Sequence, residues 1–339
     1  MIVLMLSIIL GEVFRIEKTV KLPEVIHFTQ TKNVSAISPF LFWHNKIFVT
    51  NTIYKNACVY IIDDDGIDSI KFTVGEGPDE LELAGINWSI KKDTLYYLNM
   101  FGMLHYIDIK GKRIVRKRQL YRYGVIIQMK FDTNGNIVTL TPNIVKAAGI
   151  RLFGDCINIY GPEDYKAFNS YYNPPTEFVD YYNWGGAFLG FFDIYKDTLY
   201  IIQNFKPFLY KFTTDGKRVL KRNLRIPGFI TAPPQGDYVS TRDELLEKGG
   251  KWMDSWTPII ASYLVPEKYI VLVIRKKGGK FSLCILNTNG KMLIGNIDLP
   301  KDVMLYGIDP DEYFYFIKTG YGGESYLSIR KIKDSALPE

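Results

Sequence analysis

The chain has 339 residues, of which 47% are apolar, 15% aromatic and 23% charged. That composition excludes disorder and fibrous repeats, and the length suffices to bury about 75% of the unfolded surface. The net charge of +6 comes from 42 basic and 36 acidic residues spread along the chain, so a nucleic-acid reading would need a clustered basic patch. Cys58, Cys156 and Cys284 are odd in number and far apart, which excludes a disulfide framework and a Cys-x-x-Cys zinc site. His27, His44 and His105 stand in no metal or nucleophile motif. No metal and no cofactor is expected.

Met1 to Leu10 (MIVLMLSIIL) is apolar and short of the roughly 20 residues a membrane span needs. It matches the apolar core of a secretory signal in length, with Gly11 as a small residue near a cleavage point, although the first basic residue is Arg15. Residues 1–11 are therefore expected to be the remnant of an export signal, and the protein to be extracytoplasmic, periplasmic or secreted. No transmembrane segment is expected.

From residue 12 onward, period-2 strands alternate with Gly, Asn and Asp turns, an all-β pattern. One unit repeats. Lys46 to Asn51 leads to Val59 to Asp63, an Asp64-Asp65-Gly66 turn and Ser69 to Val74. Thr94 to Asn99 leads to His105 to Ile109, Lys110-Gly111 and Lys112 to Leu120. A weaker unit runs from Asn136 to Thr141, through Cys156 to Tyr160, to Tyr165 and beyond. Thr198 to Gln203, Leu209 to Thr213, Asp215-Gly216 and Lys217 to Leu224 form the fourth, and Tyr269 to Ile274, Ser282 to Asn287, Asn289-Gly290 and Lys291 to Ile297 the fifth.

Each unit is preceded by a further apolar strand: Ser35 to Phe42, Leu83 to Ile90, Gly124 to Phe131, Ala187 to Ile194, Pro258 to Leu264 and Val303 to Ile308. Small residues recur in these strands (Ala36, Gly85, Gly190, Ala261, Gly307), as crowding around a central axis requires. Four strands in about 45 residues is the period of a β-propeller blade. The sixth unit, Glu312 to Ile317 and Ser325 to Ile332, leaves no residues for a fourth strand, whereas Val13 to Leu22 alternates correctly and has no unit of its own. The prediction is a six-bladed β-propeller over residues 12–332, closed by the N-terminal strand in the last blade, with 333–339 as a tail. The basic clusters Lys112 to Arg118 and Lys217 to Arg222 fall on outermost strands, where Lys and Arg block edge-to-edge pairing, and no aromatic residues interleave them to make a nucleic-acid platform. No nucleic-acid partner is expected.

Between the first two units lies Gly75-Glu76-Gly77-Pro78-Asp79-Glu80-Leu81. It resembles the Gly-x-Gly-Pro-Gly-Glu-Phe signature of a bacterial six-bladed β-propeller family related to NHL-repeat and TolB-like propellers. Gly75, Gly77, Pro78 and Glu80 match, while Asp79 stands in place of a glycine and Leu81 in place of Phe. Together with the repeat, the resemblance extends over residues 13–332. It implies a six-bladed ring and a kinship with proteins that look exported or lipid-anchored and have no assigned function. The residues themselves read as a blade connector, with glycines for positive φ and Pro78 for a fixed φ.

Loop lengths point to where function sits. In a four-stranded blade, the fourth-to-first and second-to-third connections share one face of the disc. Gly75 to Glu82, Pro142 to Asp155, Ser170 to Gly186 and Gly228 to Thr257 all fall there, and loops beyond about 12 to 15 residues are usually functional or disordered. The opposite face receives tight turns. Ser170 to Gly186 carries Tyr171, Tyr172, Tyr181, Tyr182 and Trp184, too aromatic for a disordered linker. Thr241-Arg242-Asp243-Glu244 reads as a capping box opening a short helical lid that stops at Gly249-Gly250, followed by Trp252 and Trp256.

The second strands end on this face with Asn51, Asn99, Thr141, Gln203, Arg275 and Lys318, one per unit. The candidate ligand-binding residues are Asn51, Asn99, Gln203, Tyr182, Trp184, Trp252 and Trp256. A hard cation would want carboxylates among the six strand ends, and none is acidic. The expected function is non-catalytic binding of a small molecule, peptide or protein on the long-loop face. The alternative is a hydrolase or lyase using the same funnel, with acids drawn from Glu76, Asp79, Glu80, Asp180 or Asp254, no pair of which has a spacing that identifies general acid-base work.

Overall fold

The structure is a computed structural model that describes residues 13–22, 40–51, 57–82, 87–121, 124–147, 150–175, 190–234, 247–248, 251–252, 254–276, 279–300, 303–319 and 325–337. It is a six-bladed β-propeller. Blade 1 is β2(Leu41–Trp43), β3(Lys46–Asn51), β4(Ala57–Ile62) and β5(Ile67–Phe72). Blade 2 is β6(Asn87–Lys91), β7(Thr94–Leu98), β8(Met103–Asp108) and β9(Arg113–Gln119). Blade 3 is β10(Gln128–Phe131), β11(Ile137–Leu140), β14(Ile157–Tyr160) and β15(Asn169–Tyr171), with a separate hairpin, β12(Ile144–Ala147) and β13(Ile150–Phe153), inserted between its second and third strands. Blade 4 is β16(Gly190–Tyr195), β17(Thr198–Gln203), β18(Phe208–Thr213) and β19(Arg218–Asn223). Blade 5 is β20(Ile259–Val265), β21(Tyr269–Arg275), β22(Phe281–Asn287) and β23(Met292–Asp298).

Blade 6 takes its strands from both ends of the chain, in the order β1(Phe14–Lys21), β26(Ser325–Ile332), β25(Phe314–Thr319), β24(Val303–Ile308). The closing strand pairs antiparallel with β26 from Phe14 opposite Ile332 to Lys21 opposite Tyr326. Phe14, 1% exposed, drives its ring edge-on against Phe314 and Phe316 at 5.0 and 5.3 Å. Ring closure thus rests on a buried aromatic cluster as well as on the ladder, and it leaves no open end to the sheet array.

The seams between blades hold the core. Apolar clusters fill the seams of blades 1 and 2, 2 and 3, 3 and 4, and 4 and 5, and one larger cluster joins blade 6 to both neighbours. Alternation is what allows this, since successive strand residues point to opposite faces of a blade and so into opposite seams. Cys58, Cys156 and Cys284 are free and buried within these layers, and burial pushes the Cys156 thiol up to about 12. The basic runs lie on β9 and β19, the outermost strands of their blades, with Val115 and Val219 about half exposed between the charges.

Two expectations are corrected. Pro142 to Asp155 is not a plain loop, because Ile144 to Phe153 pairs with itself as the β12–β13 hairpin. The outer strand of blade 3 is Asn169–Tyr171, so Ser170 and Tyr171 belong to the ladder and the long connection begins after them. In the lid segment, residues 247, 248, 251, 252 and 254 have helical backbone, with Glu247 and Lys251 paired at 2.7 Å one turn apart. Ala36, Gly85 and the capping box lie outside the described residues. Among the described residues no helix is long and apolar enough to cross a membrane.

Candidate functional site

The Gly75–Leu81 connector explains its own composition. Gly77 N donates to Glu80 Oε2 at 2.8 Å, Glu80 N to Gly77 O at 3.1 Å, and Gly75 N to Leu81 O at 3.2 Å. A Cβ on Gly75 would lie 2.1 Å from Glu80 Oε2, and one on Gly77 would lie 2.9 Å from it. The glycines make room for the carboxylate that holds the turn. Lys117 Nζ, from β9, donates to Gly77 O at 2.6 Å and fastens the connector to the blade.

The innermost strands surround a channel cavity of 410 Å³ to which all six contribute wall residues. Each inner strand has an edge with no partner strand, and side chains of neighbouring blades cap several of those edges. Asn87 Nδ2 donates to Ile126 O at 3.2 Å. The Gln128 amide takes both groups of one residue in blade 4, donating to Phe192 O at 2.9 Å and accepting from Phe192 N at 2.8 Å. Asp193 Oδ2 accepts from Leu264 N at 3.2 Å, Tyr263 OH donates to Leu305 O at 3.2 Å, and Phe40 N donates to Tyr306 O at 2.9 Å. These contacts run blade to blade from 2 round to 1, satisfying backbone groups that a buried edge would otherwise leave bare. The signal was present in the sequence as polar residues within largely apolar first strands, at Asn87, Gln128 and Asp193.

The second-strand ends go their separate ways. Asn99, 1% exposed, accepts from Phe101 N at 3.0 Å and Met103 N at 2.8 Å, capping the next turn, and its Nδ2 reaches Glu82 Oε2 at 3.4 Å. Thr141 Oγ1 shares a hydrogen bond with Thr139 at 3.2 Å. Arg275 pairs with Asp254 at 2.7 Å, and its other terminal nitrogen, Nη1, is buried with no partner. Lys318 is half-buried at the end of β25, and Asn51 ends β3 opposite Cys58. Asn99 follows Leu95 and Tyr97 on the side of its strand that packs in the seam of blades 1 and 2, whereas Gln203 follows Leu199 and Ile201 on the side packed in the seam of blades 3 and 4.

Gln203 is 0% exposed, and neither Oε1 nor Nε2 has a hydrogen-bond partner among the described residues; His105 of blade 2 is likewise 0% exposed with both ring nitrogens unpartnered. The Gln203 backbone pairs with Gly190 at the start of blade 4, where φ is +145° and an added Cβ would lie 2.0 Å from Ile202 O. The two next residues anchor the neighbourhood. Asn204 Oδ1 accepts from Ile259 N of blade 5 at 2.7 Å, and the Phe205 ring packs on Trp256 and Trp252 at 5.9 and 6.3 Å.

Trp252 and Trp256 lie 5.1 Å apart, and both belong to the apolar cluster of the blade 3 and 4 seam, at 7% and 2% exposure. Trp252 Nε1 donates to Pro233 O at 2.8 Å, while Trp256 Nε1 is buried without a partner among the described residues. Tyr172 joins from blade 3 with φ +71°, its hydroxyl buried, without a partner among the described residues, and pushed well above its ordinary pKa by burial and by Tyr210 beside it. Tyr172 was legible only as one aromatic among many. Tyr182 and Trp184 lie outside the described residues.

The seam of blades 3 and 4 thus buries the Trp256 indole N–H and the Tyr172 hydroxyl, with Gln203 at the end of β17. Buried polar groups are nearly always hydrogen-bonded, and each exception costs about 1 to 3 kcal/mol. Among the described residues no group of three His, Cys, Asp or Glu could hold a metal ion.

No protein-family model matches the sequence, and no curated protein matches it. Among solved structures, the chain is similar to a protein of Bacteroides fragilis NCTC 9343 named for presumed export, with a TM-score of 0.59 and 10% sequence identity over 95% of this chain and 96% of that one. At that identity the likeness concerns the fold.

Proposed function

We propose that this propeller is an exported, non-catalytic binding protein that takes a small polar ligand in the seam of blades 3 and 4, beneath its long-loop face. One observation carries the reading: Gln203 is fully buried with its donor and acceptor both unspent. An amide in that position recognises a partner offering one donor and one acceptor, as an amide, a carboxylic acid or a vicinal hydroxyl pair does. Trp256, Tyr172, Phe205 and Trp252 belong to one apolar cluster in that seam, aromatic groups of the kind that line small-molecule sites.

The enzyme alternative has less to draw on. Asp254 is committed to Arg275 and Glu80 to the connector backbone. Export is supported by the apolar Met1 to Leu10 segment and by the similarity in fold to a protein named for presumed export.

Native mass spectrometry of protein purified from its own source tests both parts. The expected result is a mature N-terminus beyond residue 10 and a small-molecule adduct that Gln203→Met loses while keeping its fold. A chain retaining Met1, or a wild-type mass equal to that of the bare polypeptide, counts against export or binding respectively.

A further inference from the structure

At its tight-turn end the seam of blades 6 and 1 opens into a second cavity, of 600 Å³. On blade 1, His44 and Asn45 take φ of +50° and +60° and turn β2 directly into β3, with Trp43 opposite Lys46. On blade 6, the turn from β24 to β25 is closed by Asp309 N donating to Tyr313 O and Glu312 N to Asp309 O, each at 3.1 Å. These two turns bring four aromatic side chains, Phe42, Trp43, Tyr313 and Tyr315, to one cavity wall. Phe42 lies 4.6 Å from Tyr315, and Phe42, Trp43 and Tyr313 are each only partly buried. Aromatic surface therefore remains open to the cavity.

Five carboxylates share that wall, those of Glu17, Asp63, Asp64, Asp309 and Asp311, against two ammonium groups, Lys18 and Lys46. Both lysines are taken, Lys18 by Asp64 at 2.8 Å and Lys46 by Asp63 at 2.7 Å. Glu17 holds Arg15 at 2.5 Å. Asp309 and Asp311 are left, and neither has an ion-pair partner among the described residues. Asp309 accepts from Tyr313 N at 2.8 Å and from Tyr315 OH at 2.7 Å, bonds that fix the carboxylate without cancelling its charge. Burial pushes the Asp309 carboxyl above its ordinary value, and the charge of Asp311 adds to the effect. A cation in the cavity would relieve both penalties. The aromatic wall is suited to one: Lys331 Nζ already lies 4.2 Å from the Tyr313 ring centroid.

We infer that this cavity binds a small quaternary ammonium compound, its charge offset by the surplus carboxylates of the β24–β25 turn and its methyl groups against the aromatic wall. The volume of 600 Å³ falls within the range of about 300 to 1,000 Å³ typical of small-ligand sites. An anion would meet the excess of carboxylates, and a neutral molecule would leave it uncompensated. A hard metal ion such as calcium takes about six to eight oxygen ligands, and among the described residues no group of three His, Cys, Asp or Glu could hold one. Phe42, Asp309 and Pro310 also line the central channel, but none of these residues belongs to the seam of blades 3 and 4. The site stands or falls without the one proposed there.

Isothermal titration of the full-length protein tests it with three compounds of one skeleton: choline, its neutral carbon isostere dimethylbutanol, and the carboxylate dimethylbutanoate. Saturable one-to-one binding of choline is expected, with dimethylbutanol weaker by about tenfold or more and no binding of dimethylbutanoate. Asp311→Asn changes an exposed side chain without an ion-pair partner among the described residues, so the melting transition should be retained while choline binds about fivefold more weakly. Tyr313→Leu removes one aromatic face and should weaken choline about tenfold. Gln203→Met should leave choline binding unchanged. Absence of saturable choline binding, dimethylbutanol or dimethylbutanoate matching choline, or binding insensitive to both Asp311→Asn and Tyr313→Leu would overturn the inference.

Discussion

Replacing Gln203 by Met should stabilise the ligand-free protein while removing its ligand. The glutamine is 0% exposed and leaves both amide atoms unpaired, and methionine has nearly the same length and flexibility without polar atoms. An unsatisfied buried polar group costs about 1 to 3 kcal/mol, so its removal returns a gain of that order. Unfolding entropy is about 2.1 cal/mol/K per residue, or roughly 0.7 kcal/mol/K for 339 residues, which converts the gain into about 1.5 to 4 °C in the melting temperature.

Asn99→Leu provides the contrast at the equivalent position of blade 2. Asn99 Oδ1 accepts from two backbone N–H groups, so removing it strips their partner and should lower stability by about 1 to 3 kcal/mol. Differential scanning calorimetry of the three proteins, each freed of bound small molecules by unfolding and refolding, gives the comparison. If Gln203→Met melted as far below wild type as Asn99→Leu does, the amide would have a protein partner and the reasoning from its unspent atoms would be refuted.

Three further outcomes follow from the fold. Phe14→Ala should destabilise by about 3 to 5 kcal/mol, because the lost ring is fully buried against Phe314 and Phe316, and deletion of residues 1–22 should expose the edge of β26 and cause aggregation, read by denaturant titration and light scattering. Gly190→Ala should cost more than about 3 kcal/mol or prevent folding, since its Cβ would meet the backbone oxygen of Ile202 at 2.0 Å in a φ region closed to alanine, and a near-normal denaturation midpoint would contradict that geometry. Burial, reinforced by Lys117, holds the fully buried His105 imidazole below its ordinary value of 6.5. Its neutral form is therefore favoured by folding, so its contribution is complete above pH 6.5 and is lost as pH falls below it, with a slope of at most about 1.4 kcal/mol per pH unit that His105→Phe should remove from a stability profile.

The ring was legible because its physics is local. Period-2 alternation, a turn glycine in four of the six units and an orphan strand at the start of the chain are properties of short windows, and together they specified six blades and the closing pair of β1 with β26. The hairpin of β12 and β13 was missed because Ile144 to Phe153 carries a mixed pattern with a weak turn, and pairing is decided by its partner half rather than by composition. Of the candidate site, loop lengths and tryptophans pointed to the long-loop face, and Trp252 and Trp256 pack in the seam of blades 3 and 4. What could not be read was the direction of each strand-end side chain: Asn99 and Gln203 occupy equivalent positions, yet one finds two backbone donors in the following turn and the other finds none. That difference lies in the path of the next few residues, which neither alternation nor residue type prescribes.

The most direct test of the binding reading is a crystal structure of the protein purified from its own source without unfolding. The seam of blades 3 and 4 should contain non-protein density with a donor and an acceptor within hydrogen-bond distance of Gln203 Oε1 and Nε2. An amide that is instead dry, bonded to another part of the chain, or satisfied by an ordered water alone would contradict the account.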